Sequence, residues 1–137
     1  MKGITEHQIF GPKELLAFAE AQRIVAALPE EDTSGELLRC HEIARVVGRL
    51  LNLKVIDGRY EYGCEHSWCV ITEVKYRGFT ILDPYAIGRI PPVQLVSVLP
   101  TIPNRYFPED KRKDIRGDVI EHLLGIVNAC QRKQASQ

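Results

Sequence analysis

The chain has 137 residues, 45% hydrophobic and 26% charged, with 18 Lys+Arg balancing 18 Asp+Glu. That size corresponds to a single domain, 1–137, able to bury roughly two-thirds of its unfolded surface without disulfides or metal. The charge balance excludes a nucleic-acid binder built on bulk positive charge, and no apolar run is long enough for a membrane span.

Met1-Lys2-Gly3-Ile4-Thr5-Glu6-His7 lacks the apolar stretch of a signal peptide, so a cytoplasmic location is expected. In a reducing compartment Cys40, Cys64, Cys69 and Cys130 are expected as free thiols, metal ligands or catalytic groups rather than as disulfides.

Gly11-Pro12 opens a predicted helix over about 12–28, with an apolar stripe of Leu15, Leu16, Phe18, Ala19, Ile24, Val25 and Leu28, ended by Pro29. Thr33-Ser34-Gly35-Glu36 matches a capping box and predicts a second helix to about Leu51. On it Cys40 falls on the buried face, and Arg39, Glu42, Arg45 and Arg49 mostly on the other.

Leu53 to Ile56 reads as a strand ended by Asp57-Gly58. From His66 the alternation is regular: His66, Trp68, Val70 and Thr72 share one strand face, and Ser67, Cys69 and Ile71 the other. Tyr76-Arg77-Gly78 is a turn. Phe79 to Leu82 is a strand closed by Asp83-Pro84. A further strand is expected over Val93–Leu99, and 104–116 is expected as an exposed, charged segment in which Lys111-Arg112-Lys113 is a solvated basic run. The last helix covers about 118–132, with Val119, Leu123, Ile126, Val127 and Cys130 on one stripe. The layout is α+β, helices packed on a small antiparallel sheet.

Cys40, His66 and Asp83 lie on three successive elements. A thiol nucleophile needs a base for its proton, and that base needs a carboxylate or amide to hold its tautomer. A tight turn at Tyr76-Arg77 would pair Asp83 with Val70, so a wider loop or a bulge is required to bring His66 to Asp83. His41 projects about 100° around the helix from Cys40 and reads as a poor base for it.

Cys40-His-Glu-Ile-Ala44, Leu50-Leu51-Asn52-Leu53-Lys54-Val55, His66-Ser-Trp68-Cys-Val70 and Ile81-Leu-Asp83-Pro84 together resemble the transglutaminase-like core, over residues 36–86. The resemblance implies a papain-like fold with a core at about 33–86, Cys40 as nucleophile, His66 as general base and acid, and Asp83 as orienter. It implies Trp68 and Tyr62 on the substrate side. The Cys40 backbone N–H is a candidate oxyanion donor, joined by a side chain from Gln22, Tyr60 or Tyr62. The implied activity is thiol-dependent acyl transfer on amide bonds of a protein or peptide, by hydrolysis, deamidation or transamidation, with no metal or organic cofactor. The sequence departs from the family pattern at Arg39, where a small residue is common, and in the capping box, which puts Cys40 in the second helical turn, where the helix dipole helps a thiolate less.

Two other readings compete. One is a non-catalytic peptide-binding module on the same fold. The other is a zinc-stabilised domain using Cys64, His66 and Cys69 with Cys40 or His41, although His66 and Cys69 point to opposite faces of a regular strand.

Overall fold

The structure, a computed structural model, describes residues 10–61, 63–74, 78–98 and 104–135. They form three helices, α1 (Pro12–Ala26), α2 (Cys40–Leu51) and α3 (Gly117–Ala135). One antiparallel sheet comprises β1 (Lys54–Tyr60), β2 (Cys64–Val74), β3 (Gly78–Asp83), β4 (Gln94–Val98) and β5 (Tyr106–Pro108). The strand order is β4-β3-β2-β1-β5. This is the expected α+β class. Among the described residues no helix is long and apolar enough to cross a membrane.

Strand alternation splits the interior into two clusters. Cys69, Ile71 and Leu82 pack with Ile43, Ala44 and Val47 of α2, Ile24 of α1, and Leu123 of α3. Trp68, Val70 and Ile81 pack on the opposite face with Tyr60, Val98 and Tyr106. As far as Ile71 the two faces of β2 are those read from its sequence; beyond it the register shift breaks the alternation that put Thr72 with Val70. Of the α3 stripe, Val119, Leu123 and Val127 are buried and Ile126 and Cys130 half-buried, whereas Leu16 of α1 is exposed. Helix α2 lies close against the start of β1 at Gly48, where a Cβ would lie 2.5 Å from Val55 Cγ2 and 3.1 Å from the Leu53 carbonyl oxygen. Asn52 then turns the chain into β1 from a left-handed conformation (φ 55°), a conformation that asparagine tolerates at helix ends.

Four expectations are corrected. The capping box does not form. Instead the Asp32 carboxylate accepts the N–H groups of Ser34 and Glu36 at 2.8 and 3.1 Å and the Ser34 hydroxyl at 2.6 Å, and Glu31 bridges Leu37. That carboxylate-centred turn satisfies the backbone donors that a helix cap would. Helix α2 therefore begins at Cys40, with Arg39 extended before it (φ −95°, ψ 150°).

Glu42, expected on the polar face, is completely buried. Its carboxylate accepts Arg39 Nε and Nη2 at 2.8 and 2.6 Å and the Arg116 N–H at 3.3 Å. Arg116 Nη1 reaches Asp32 at 2.8 Å. A buried carboxylate needs such partners, and these tie the start of α2 to the loop before it and to the segment leading into α3.

Asp57-Gly58 does not end the first strand. Strand β1 continues to Tyr60, with Gly58 paired to both His66 and Pro108. A Cβ on Gly58 would overlap the Phe107 carbonyl, so this glycine makes room for a neighbouring strand rather than a turn.

That strand is β5, within the segment expected to be exposed. Tyr106 is buried there. Most of the segment is exposed as expected, Lys111 and Lys113 included, but Arg112 is half-buried and bonds Glu65 at 2.9 Å and Asp114 at 2.8 Å.

The expected irregularity in the β2–β3 hairpin is present. The register shifts between Val70 and Thr72, so that Cys69 pairs with Leu82. Asp83 follows immediately and lies two residues nearer His66 than the pairing with Val70 that a tight turn at Tyr76-Arg77 would give.

Candidate active site

Cys40 is the first residue of α2, where backbone N–H groups have no partner within the helix and the dipole is positive. A thiolate gains there from both effects. The correction to the helix start thus moves the thiol from the second turn to the first. Its side chain is half-buried.

His66 and Asp83 are fully buried. His66 Nε2 lies 2.8 Å from Asp83 Oδ2. The Tyr106 hydroxyl donates to the same oxygen at 2.8 Å, and the Tyr85 N–H donates to Oδ1 at 3.1 Å. An ionised carboxylate only accepts, so the proton on the neutral ring belongs to Nε2. Nδ1 then presents a lone pair. It is buried without a hydrogen-bond partner among the described residues.

Aromatic rings fix the imidazole in place. Trp68 stacks on it at 6.1 Å between centroids, and Tyr60 and Tyr106 stand 6.0 and 6.2 Å away.

The electrostatics favour a charged pair. Burial pushes the Cys40 thiol up, but His41 and His66 outweigh it and hold the thiol at about 6. Burial pushes His66 down, but Asp83 and Cys40 outweigh it and raise the ring to about 9. Between those values a thiolate faces an imidazolium. The other buried thiol behaves in the opposite way. Cys69 has no such partner, burial pushes it up to about 12, and it donates to the Ala44 carbonyl at 3.3 Å.

Cys40, His66 and Asp83 are thus brought together. Trp68 is 1% exposed and braces His66 from inside the protein. Tyr62 lies outside the described residues. Of the candidate oxyanion donors, Gln22 is exposed on α1 and Tyr60 packs edge-on against His66 and Tyr106. The Cys40 backbone N–H, at the first position of α2, remains suitably placed. The zinc grouping is not assembled. Cys64 is exposed and Cys69 belongs to the helix-side core, and no metal-holding group of three or more His, Cys, Asp or Glu occurs among the described residues.

Three participants escaped sequence reasoning. Tyr106 braces Asp83 from β5. His41, judged misdirected, has Nδ1 at 3.6 Å from Cys40 Sγ. Asp57 joins Ser67 at 2.5 Å and Arg45 at 2.6 Å behind His41.

Leu28, Glu30, Leu38, Ile43 and Tyr85 help to line a cavity of about 290 Å³. Leu38 lies two residues before the thiol and Tyr85 two after Asp83.

Comparison with protein-family models, curated proteins and solved structures finds no match to this chain.

Proposed function

We propose that the protein is a thiol-dependent acyl-transfer enzyme acting on amide bonds of a protein or peptide, a transglutaminase-like enzyme on a papain-like fold. The observation that carries this reading is the unpartnered Nδ1 of His66 beside the Cys40 thiol, with Nε2 of the same ring fixed on Asp83. A buried nitrogen left without a partner is costly, and the thiol that would supply its proton is close enough to raise the ring.

In the proposed reaction the Cys40 thiolate attacks the amide carbonyl carbon, and the carbonyl π pair becomes an oxyanion near the Cys40 N–H. As the tetrahedral intermediate collapses, the C–N bond breaks and imidazolium Nδ1 gives its proton to the departing amine. A thioester remains. Neutral Nδ1 then takes a proton from water or an incoming amine as its oxygen or nitrogen attacks the thioester, and sulfur leaves as thiolate. Water completes hydrolysis or deamidation; an amine completes transamidation.

Mass spectrometry of a peptide mixture incubated with the protein reads hydrolysis, deamidation and amine incorporation together. Wild type is expected to convert members of the mixture, and Cys40→Ala to lose at least about a thousandfold in rate with an unchanged circular-dichroism spectrum. Full turnover by Cys40→Ala would overturn the assignment. Peptide binding without turnover in wild type would favour a binding module instead.

A further inference from the structure

The thiol has a second histidine neighbour. His41 is 6% exposed, and its Nδ1 lies 3.6 Å from Cys40 Sγ and 2.7 Å from Ser67 Oγ. Ser67 Oγ lies 2.5 Å from Asp57 Oδ1. Asp57 Oδ2 accepts Arg45 Nη2 at 2.6 Å and the Arg112 N–H at 3.0 Å.

Counting protons along this chain leaves one arrangement. Asp57 is held ionised: burial pushes its carboxyl up, but Arg45, Ser67 and the Arg112 N–H outweigh burial and lower it to about 2. An ionised carboxylate cannot donate, so the single Ser67 proton lies on the line to Asp57. Ser67 Oγ can then only accept from His41, and His41 Nδ1 must carry a hydrogen. A nitrogen that already carries a proton cannot remove one from the thiol, but it can donate a hydrogen bond to the thiolate.

We propose that His41 is a second catalytic histidine: Ser67 and Asp57 keep a proton on its Nδ1, and that single N–H is shared between Ser67 Oγ at 2.7 Å and the Cys40 thiolate at 3.6 Å, while His66 alone serves as base. This rests on the reading of Cys40 as nucleophile. The thiol proton passes from Sγ to His66 Nδ1, and the His41 proton stays where it is. When the thioester later breaks down and sulfur leaves with its electron pair, the same N–H receives the returning charge. Charge-assisted bonds of this kind are roughly twice as strong as neutral ones. The other charged groups around His41 are Arg45, whose Nη1 donates to the His41 carbonyl at 3.0 Å, Glu65, and His66 across the sulfur.

The test is the pH dependence of iodoacetamide alkylation at Cys40, read by mass spectrometry, in wild type, His41→Phe and His41→Asn. Wild type is expected to show a midpoint near about 6. His41→Phe is expected to raise the midpoint by about one pH unit, a tenfold loss of thiolate at acidic pH. His41→Asn, which keeps an N–H near the Nδ1 position, is expected to recover part of it. A purely packing role for His41 would leave the midpoint unmoved. A low midpoint in wild type that persists in folded His41→Phe overturns this inference and leaves the nucleophile standing; an ordinary thiol midpoint in wild type overturns both. Nitrogen–proton NMR correlation on the unaltered protein decides independently of any substitution. A neutral His41 with its proton on Nδ1 supports the proposal, and one with its proton on Nε2 overturns it.

Discussion

His66 and Asp83 share one fully buried hydrogen bond, Nε2 to Oδ2 at 2.8 Å, and that bond decides which ring nitrogen is free to act. With the proton committed to Asp83, the lone pair belongs to Nδ1. Tyr106 and the Tyr85 N–H hold the carboxylate from two other sides, so neither partner has room to reorient.

Asp83→Asn should therefore act through the tautomer. Its amide can donate to Nε2 and drive the ring proton onto Nδ1, where it blocks the thiol. Loss of about 10³–10⁴ in kcat is expected with the fold retained. Tyr106→Phe removes one donor and leaves the other two bonds of Asp83. A loss of about tenfold in kcat and about 1 kcal/mol in stability is expected. Steady-state kinetics and urea unfolding on both variants check this ordering, and equal kcat in the two would contradict it.

The coupled thiol and imidazole define a working pH window. The thiolate forms as pH rises through about 6, and the imidazolium loses its proton above about 9. Turnover that needs both should rise across the first value and fall across the second, the two limbs belonging to the pair. Stability follows the same signs. Cys40, lowered on folding, contributes fully above its unfolded value and loses that contribution as pH falls through about 6. His66, raised on folding, contributes fully below its unfolded value and loses that contribution as pH climbs through about 9. A pH–rate profile paired with thermal melts at each pH tests both statements. His66→Ala should abolish the basic limb of each.

Gly48→Ala should destabilise, although alanine is the better helix former by about 1 kcal/mol. The added Cβ meets Val55 Cγ2 at 2.5 Å and the Leu53 carbonyl oxygen at 3.1 Å, and overpacking of this kind costs about 1–3 kcal/mol. The double variant Gly48→Ala, Val55→Ala should recover part of the loss. Urea midpoints for the two variants and wild type give the comparison.

Local patterns carried much of the site. Helical spacing around Cys40 and strict alternation after His66 placed two groups on neighbouring elements, and the misfit between Asp83 and a regular hairpin foretold the bulge at Val70–Thr72. The rest depends on partners remote in sequence. Tyr106 reaches Asp83 across 23 residues and Arg112 reaches Asp57 across 55, and no periodicity announces such pairs. The start of α2 was misread because Thr33 and Glu36 mimic a cap, while the turn there uses the Asp32 carboxylate one residue earlier. Angular spacing misjudged His41, because it describes Cβ directions; Nδ1 lies two bonds beyond Cβ and swings back to the sulfur.

The strand containing Tyr106 joins the sheet beside β1, the farthest strand in sequence from it among those that precede the loop at 104, and Arg112 arrives later still. A nascent chain emerging from the ribosome carries its cysteine long before either clamp has been synthesised. Until the final third is in place, Asp83 lacks the Tyr106 hydroxyl and Asp57 lacks the Arg112 N–H, so the last bond to each acid is also the last to be made.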